Sequence, residues 1–414
     1  MIEKYYSGVI EQIYNRIGKE TRNIVMANYS NDFSIENLEV IRRYQSNEDN
    51  VFFAYSEFSY NTLVGAYEPF LDIICNMHRR FIGGSFDDFQ KECGVYYLHR
   101  QVLNSYYETG ECFREETVLL NEVAYEQRRM TMAIADMLKK LSEVKPLMIV
   151  INRFQMASKS SNETIKYLID NPCANIGIVL GVNAIVKGTD STVEVWDRIV
   201  ESLEDRSAIY YIGSAGPLKN NVKTTNDDEL YITMNFEQSI QEASNIMEFL
   251  DFEQARRGCR IIEHKLKFED AWIDEKSLRR FYMVYARTSV LLGEMSKAIE
   301  LTNEYKALIP ENDSEHYLSL YYFMKGTCYM YQGKLEKAGN SAKSAYDYAV
   351  LAEDDTLIFK AELLSVMIKM SGWYNIFFCV QDIPVSDEII EKLIKHGYRN
   401  HLAHIYIYAY DNSR

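Results

Sequence analysis

The chain has 414 residues, enough for two to four domains, and its composition is that of a folded, helix-rich protein. Hydrophobic residues make up 47% and charged residues 25%, which excludes wholesale disorder. Glycine and proline together occur at about half their usual share, and this shortage of helix breakers favours helices. The net charge of −15 argues against nucleic acid as the main ligand, because binding to phosphates needs a basic surface.

The seven cysteines lie singly along the chain, without any Cys-x-x-Cys pair. This spacing argues against a disulfide framework or a zinc site and predicts reduced thiols. No apolar run approaches the roughly 18–20 residues that a membrane-spanning helix needs. The sequence therefore predicts a cytoplasmic protein with no membrane span, no metal and no cofactor.

The first half of the chain alternates short apolar runs with amphipathic stretches. The apolar runs predict five strands, at 23–27, 51–56, 146–151, 177–182 and 208–212. Helical periodicity between them predicts helices at 35–44, 62–81, 115–142, 161–169 and 191–204. Short apolar strands separated by helices are typical of a parallel sheet covered on both faces. Residues 1–213 are therefore predicted to form an α/β domain.

A change of composition follows, and the rest of the chain is predicted to be helical and repetitive. Residues 214–229, SAGPLKNNVKTTNDDE, lack the apolar rhythm and predict a linker. In the predicted array, 230–414, small residues recur twelve positions apart in three successive pairs, Ala243 with Ala255, Ala286 with Ala298, and Gly326 with Ala338.

The turn inside each pair also recurs, as LGEMSKA at 292–298 and QGKLEKA at 332–338. These features resemble tetratricopeptide repeats, in which small residues let the two helices of a repeat pack closely. The resemblance implies that Gly293 and Gly333 end the first helix of a pair and that Pro310 follows a second helix. The period here is longer than the usual repeat, and a generic helical bundle with chance alanine spacing is the alternative.

An α/β domain before a helical array resembles the bacterial STAND regulators, signal-transduction NTPases with a P-loop domain. Three segments carry this resemblance: 53–74 is similar to the segment after the P-loop helix, 146–168 to the Walker B strand and its helix, and 175–184 to the sensor strand. The alternative is an unrelated α/β domain whose loops never held these motifs.

The catalytic positions that the resemblance implies are all substituted. A P-loop, GxxxxGK[ST], needs glycines whose N–H groups wrap phosphates, a lysine, and a hydroxyl for Mg²⁺. Matched to that motif, Asn28 and Phe33 replace the glycines, Ser34 replaces the lysine, and Ile35 replaces the Mg²⁺ ligand.

The Walker B and sensor positions are altered too. Asn152 and Arg153 stand where two acids are expected, and Asn183 stands at the sensor position, where the family tends to keep arginine. The loss of the lysine and of the metal ligands removes the electrostatic basis of phosphoryl transfer. The resemblance therefore implies a pseudo-NTPase domain, which keeps the fold without the reaction.

Two functions follow as hypotheses. The first is a non-catalytic signalling module, whose repeats bind a protein, a peptide or a small effector and whose output, such as a DNA-binding or nucleotide-cyclase domain, lies outside these residues. Tyr282 and Tyr322 are candidates for the binding face. The second is a nucleotide-binding STAND switch with an aberrant site. The apolar segment 401–410, HLAHIYIYAY, predicts a longer protein or self-association through that end.

Overall fold

The computed structural model describes most of the chain as two compact units. The described residues are 2–30, 38–46, 50–59, 63–114, 118, 120–183, 190–215, 235–268, 273–312, 314–375, 387–395 and 397–411. The first unit comprises Met1–Phe113 and Glu122–Glu269, and the second comprises Arg114–Asn121 and Asp270–Arg414. The predicted linker lies outside the described residues except for its first two positions. Among the described residues, no helix combines the length and apolarity that crossing a bilayer requires.

The first unit contains a five-stranded parallel sheet, as the sequence predicts. Its strands are β1 Ile24–Tyr29, β2 Phe52–Glu57, β3 Leu147–Asn152, β4 Ile176–Asn183 and β5 Ile209–Ile212. Their order is β2-β3-β4-β1-β5. Residues of β3 and β4 are buried throughout, which matches the unbroken apolar runs expected of strands covered on both faces.

Ten helices of the first unit are described. They are α1 Ile2–Arg16, α2 Glu39–Ser46, α3 Phe70–Met77, α4 Phe86–Glu92, α5 Tyr97–Thr109, α6 Val123–Val144, α7 Lys159–Asp170, α8 Asp190–Glu204, α9 Phe236–Glu248 and α10 Phe252–Phe268. The sequence did not predict α1, α4 or α5. The helix predicted from position 62 begins only at α3, where Pro69 is the N-cap, because proline suits a helix start but not its interior.

The helices cover the two faces of the sheet. Buried side chains of α1 and α2 share one apolar cluster with β1, β2, β3 and β4. On the other face α3 packs on α6, α6 on α7 and α7 on α8. The connection that leaves β1 runs toward β2, whereas the one that leaves β4 runs toward β5. The carboxyl ends of β1 and β4 are therefore the topological switch point, the usual place for a ligand in such sheets.

The helix pair α9–α10 groups with the α/β unit rather than with the repeats, where the predicted boundary at 230 had placed it. Polar contacts explain this grouping. Buried Asp251, between the two helices, accepts a hydrogen bond of 2.9 Å from the Ser160 backbone N–H of α7. The Gln254 side chain donates to the Val64 carbonyl at 2.9 Å. Sequence periodicity does not reveal such long-range bonds, so the sequence alone predicts that this pair is the first repeat of the array.

The second unit is helical throughout its described residues. Its helices are α11 Glu275–Leu291, α12 Met295–Ala307, α13 Ser314–Tyr331, α14 Leu335–Leu351, α15 Asp355–Asn375, α16 Asp387–Lys395 and α17 Arg399–Asp411. Each packs on the next helix along the chain as far as α15, and α15, α16 and α17 share an apolar cluster. Gly293 and Gly333 have φ of +78° and +71° just after α11 and α13, which confirms the predicted helix ends.

The small residues of the predicted pairs are buried. Ala286 and Ala298 lie where α11 meets α12, and Ala338 lies on α14. A Cβ at Gly326 of α13 would come within 3.0 Å of Leu364 Cδ2 and 3.4 Å of the Ala338 carbonyl oxygen. Ala243 and Ala255 are buried likewise, but in α9 and α10 of the first unit.

Candidate functional site

The candidate site is the carboxyl edge of the sheet, where side chains from β1 and β3 meet across β4. The Tyr29 hydroxyl at the end of β1 donates a hydrogen bond to Asn152 Oδ1 at the end of β3. The strand between them carries Gly181, and a Cβ there would lie 2.9 Å from Asn152 Oδ1. Glycine is thus what lets the tyrosine and the asparagine meet over the middle strand.

One further tyrosine, Tyr6, completes this cluster. Tyr6 of α1 is fully buried, and its hydroxyl lies against Gly181 where a Cβ would clash with it. Burial holds the pKa of Tyr6 well above its usual value, and Tyr29, Tyr55 and Glu57 raise it further. The hydroxyl therefore stays protonated and neutral at physiological pH. We call Tyr6, Tyr29, Asn152 and Gly181 the edge cluster.

The cation at this edge is paired with an acid. Arg153 follows β3 in a left-handed conformation, with φ of 55°. Its Nη1 lies 3.1 Å from Glu57 Oε1 and donates to the Phe58 carbonyl at 3.4 Å. The Tyr55 hydroxyl donates to the other oxygen of Glu57. Arg153 thus ties the ends of β2 and β3 together, a role that its position in the sequence did not indicate.

The other asparagines of the site are buried as well. Asn183 ends β4, and Asn28 is the last residue but one of β1. Since strand side chains alternate, Asn183 faces the same side of the sheet as Tyr29, whereas Asn28 faces the opposite side. The Asn183 backbone N–H points to Gln155 Oε1 at 3.4 Å. The described predicted residues therefore lie near the ends of neighbouring strands without all facing the same side of the sheet.

The predicted P-loop residues Phe33, Ser34 and Ile35 lie outside the described residues. The sequence analysis missed Tyr6, Tyr29 and Glu57, because tyrosines in apolar runs look like ordinary core. One signal was available: Gly181 interrupts a strand of branched residues, and glycine at such a place marks a close approach of other atoms.

The edge cluster is neutral, and its Tyr29 and Asn152 side chains are hydrogen-bonded to each other. Buried amides and hydroxyls are stable only when their hydrogen-bonding groups are paired, and Tyr29 meets that need for Asn152. Phosphate binding calls for cationic donors, whereas the guanidinium of Arg153 is engaged with Glu57. Within the described part of the chain, no group of three or more histidine, cysteine or acidic side chains is arranged to hold a metal ion.

The helical unit contains a group of tyrosines and lysines on α12, α13 and α14. The Lys306 ammonium nitrogen lies 5.2 Å from the centroid of the buried Tyr321 ring, and Lys325 donates a hydrogen bond of 2.8 Å to the Tyr321 hydroxyl. Tyr322, one of the two tyrosines that the sequence singled out, stacks on Tyr348 at 5.6 Å between centroids. Such cation–π and stacking contacts hold the aromatic rings in fixed positions along α13.

Comparison of the chain with family models, with curated proteins and with solved structures gives no match.

Proposed function

We propose that the α/β unit is a STAND-type, P-loop NTPase-like domain that has lost catalysis, and that the protein is a non-catalytic signalling module. The observation that carries this proposal is the neutral edge cluster. Where hydrolysis needs a carboxylate on Mg²⁺, the chain has Asn152, whose oxygen accepts a bond from Tyr29. An amide supplies no charge to hold the metal ion.

The topology supports the NTPase-like part of the proposal. The STAND resemblance implies a nucleotide cleft at the carboxyl end of the first strand, and the switch point of this sheet falls between β1 and β4. The segment matched to the Walker B strand is β3, which ends at this same edge. Sheet order, cleft position and segment order thus agree with one another.

Charge supports the loss of catalysis. A transferring phosphoryl group is stabilised almost wholly by fixed cations and donors, since little covalent chemistry is left to the protein. Arg153, at the position of the second acid, is in an ion pair with Glu57, and both side chains are mostly buried. If the Arg153 guanidinium moved to bind a phosphate, Glu57 would keep a largely buried charge without its cation. This cost disfavours phosphate binding by Arg153.

The helical unit is proposed to be a tetratricopeptide-like superhelix that binds a protein, a peptide or a small effector. Buried small residues at successive helix contacts, with Gly326 and Ala338 packed together, support the repeat assignment. Tyr322, held in place by stacking on Tyr348, is partly exposed and supplies contact area at low entropic cost, which favours recognition of another molecule. The acidic balance of the chain disfavours nucleic acid.

A thermal-shift screen of the full chain tests the proposal. The ligands are ATP, GTP and cyclic dinucleotides, each with and without Mg²⁺, because a ligand that binds only the folded state raises the unfolding temperature. We expect no Mg²⁺-dependent rise with either triphosphate. A rise that requires Mg²⁺ and saturates with nucleotide would overturn the proposal and favour the nucleotide-binding switch instead.

A further inference from the structure

A second polar region of the α/β unit lies where α9 meets α3 and the loop that precedes it. Here a cavity of about 250 Å³ is bordered by three carboxylates from three segments. Glu68 belongs to the loop before α3, Asp72 to the first turn of α3, and Glu242 to the middle of α9. The edge cluster and the proposed nucleotide cleft do not involve these residues.

The carboxylates approach one another closely. A Cβ placed on Gly65 would lie 3.0 Å from Glu242 Oε1 and 3.4 Å from Glu68 Oε2, so both groups crowd the same point. The Gly65 backbone N–H donates to Glu68 Oε2 at 2.9 Å, and the Tyr106 hydroxyl donates to Asp72 Oδ1 at 3.0 Å. Two of the three carboxylates thus accept a hydrogen bond.

Nothing in the lining balances this charge. The described lining consists of apolar side chains, Asn245, Tyr106 and the three acids, with no lysine, arginine or histidine, and α10 contributes none of it. Burial, together with the neighbouring charges of Glu68 and Asp72, raises the pKa of Glu242 to about 7. Burial also raises the pKa of Glu68, although the hydrogen bond from the Gly65 N–H partly lowers it. Burial and Asp72 raise the pKa of Tyr106, which therefore stays neutral.

We infer that Glu242 is a proton switch that controls how firmly α9 holds to α3 and its preceding loop. With a proton, the Glu242 carboxyl fits the half-buried cavity as a neutral group. Without it, three like charges of Glu68, Asp72 and Glu242 face one cavity and repel each other. Since α9 and α10 come directly before Asp270, where the chain passes into the second unit, loosening this contact acts on one of the segments that lead into that unit.

The sign of the effect follows from proton uptake on folding. The folded protein holds the Glu242 proton up to about pH 7, whereas the unfolded chain loses it near its ordinary value of about 4.5. This contribution to stability is therefore complete below about pH 4.5 and is lost as the pH rises to about 7. Above that range the repulsion is present in full.

The test measures the unfolding temperature of the full chain against pH for the natural protein, Glu242→Gln and a control, Glu237→Gln. Glu237 lies on the same helix but is exposed. We expect Glu242→Gln to unfold several degrees higher than the natural protein at about pH 8 and to match it at about pH 5, and Glu237→Gln to follow the natural protein throughout. Identical pH profiles for the natural protein and Glu242→Gln would overturn the inference.

Hydrogen exchange assigns the effect to α9. At about pH 8, peptides covering 236–248 should exchange more slowly in Glu242→Gln than in Glu237→Gln, and this comparison at one pH cancels the chemical dependence of exchange. Asp72→Asn is a second variant that keeps Glu242, and it should move the stability transition to lower pH by removing one like charge. An unmoved transition in Asp72→Asn, or equal exchange in the two glutamine variants, would count against the switch.

Discussion

At the carboxyl edge of the sheet, buried polar groups bond to one another across three strands, whereas beside α9 three carboxylates border a cavity whose described lining holds no cation. The edge cluster joins Tyr29 and Asn152 over Gly181 and carries no charge. The cavity brings Glu68 and Glu242 to one point, and Asp72 adds a third acid. A paired neutral network holds a fold in one state, while unbalanced charge makes a contact depend on conditions. We therefore expect the edge cluster to stay fixed and the contact beside α9 to respond to pH.

The largest expected effect breaks the edge cluster sterically. Gly181→Val places a branched side chain where the Tyr6 hydroxyl and Asn152 already lie, so it should lower the free energy of unfolding by about 3 kcal/mol. Gly8→Ala is the matched control, because a Cβ on Gly8 in α1 meets nothing within 4 Å. It should raise stability by about 0.5–1 kcal/mol. Denaturant unfolding measures both, and equal midpoints would refute the packing described here.

A crowded and an uncrowded glycine can be compared in the helical unit as well. Gly326→Leu should force α13 away from Leu364 and Ala338, at a cost of about 2 kcal/mol in the free energy of unfolding. Gly339→Leu in α14 should be harmless, because nothing lies within 4 Å of a Cβ there and leucine favours helices. Unfolding midpoints again decide, and loss of stability in both variants alike would argue against the repeat register.

A pair of tyrosine variants compares the two polar regions directly. Tyr29→Phe leaves the buried Asn152 oxygen without its donor and should cost about 1–2 kcal/mol in the free energy of unfolding. Tyr106→Phe removes a donor from Asp72, which is exposed and can bind water instead, so its cost should stay below about 1 kcal/mol. Chemical denaturation of the two variants measures the difference. If Tyr106→Phe lowers the free energy of unfolding more than Tyr29→Phe does, the result would contradict the assignment of the edge cluster as the fixed region and the acidic cavity as the responsive one.

The sheet could be predicted from the sequence because its strands are apolar runs that lie between helical stretches. All five strands lie within two residues of their predicted positions, and their parallel pairing follows from the intervening helices. The helix α1 was not predicted, although its buried residues Tyr6, Val9, Ile10 and Ile13 recur at helical spacing. The helix pair α9–α10 was grouped with the repeats, because alanine spacing is local whereas the bonds of Asp251 to α7 cross 91 residues.

The candidate site was only partly predictable for a related reason. Motif matching found Asn152 and Arg153 as substitutions, yet it did not identify their partners, Tyr29 and Glu57. The contact of Tyr29 with Asn152 depends on strand register and on the space left by Gly181, and local sequence patterns predict neither. The acidic cavity is lined by residues as far apart in the sequence as Glu68 and Glu242, so no local sequence pattern predicts it.

The central claim is that the α/β unit does not hydrolyse nucleotides, and a phosphate-release assay tests it most directly. The purified full chain is incubated with Mg²⁺ and either ATP or GTP, beside Arg153→Ala prepared in the same way to reveal contaminating enzymes. The account predicts equal, background release from the two proteins, because Asn152 supplies no charge for Mg²⁺ and Arg153 is paired with Glu57. Turnover that follows the natural protein through purification and disappears in Arg153→Ala would contradict it.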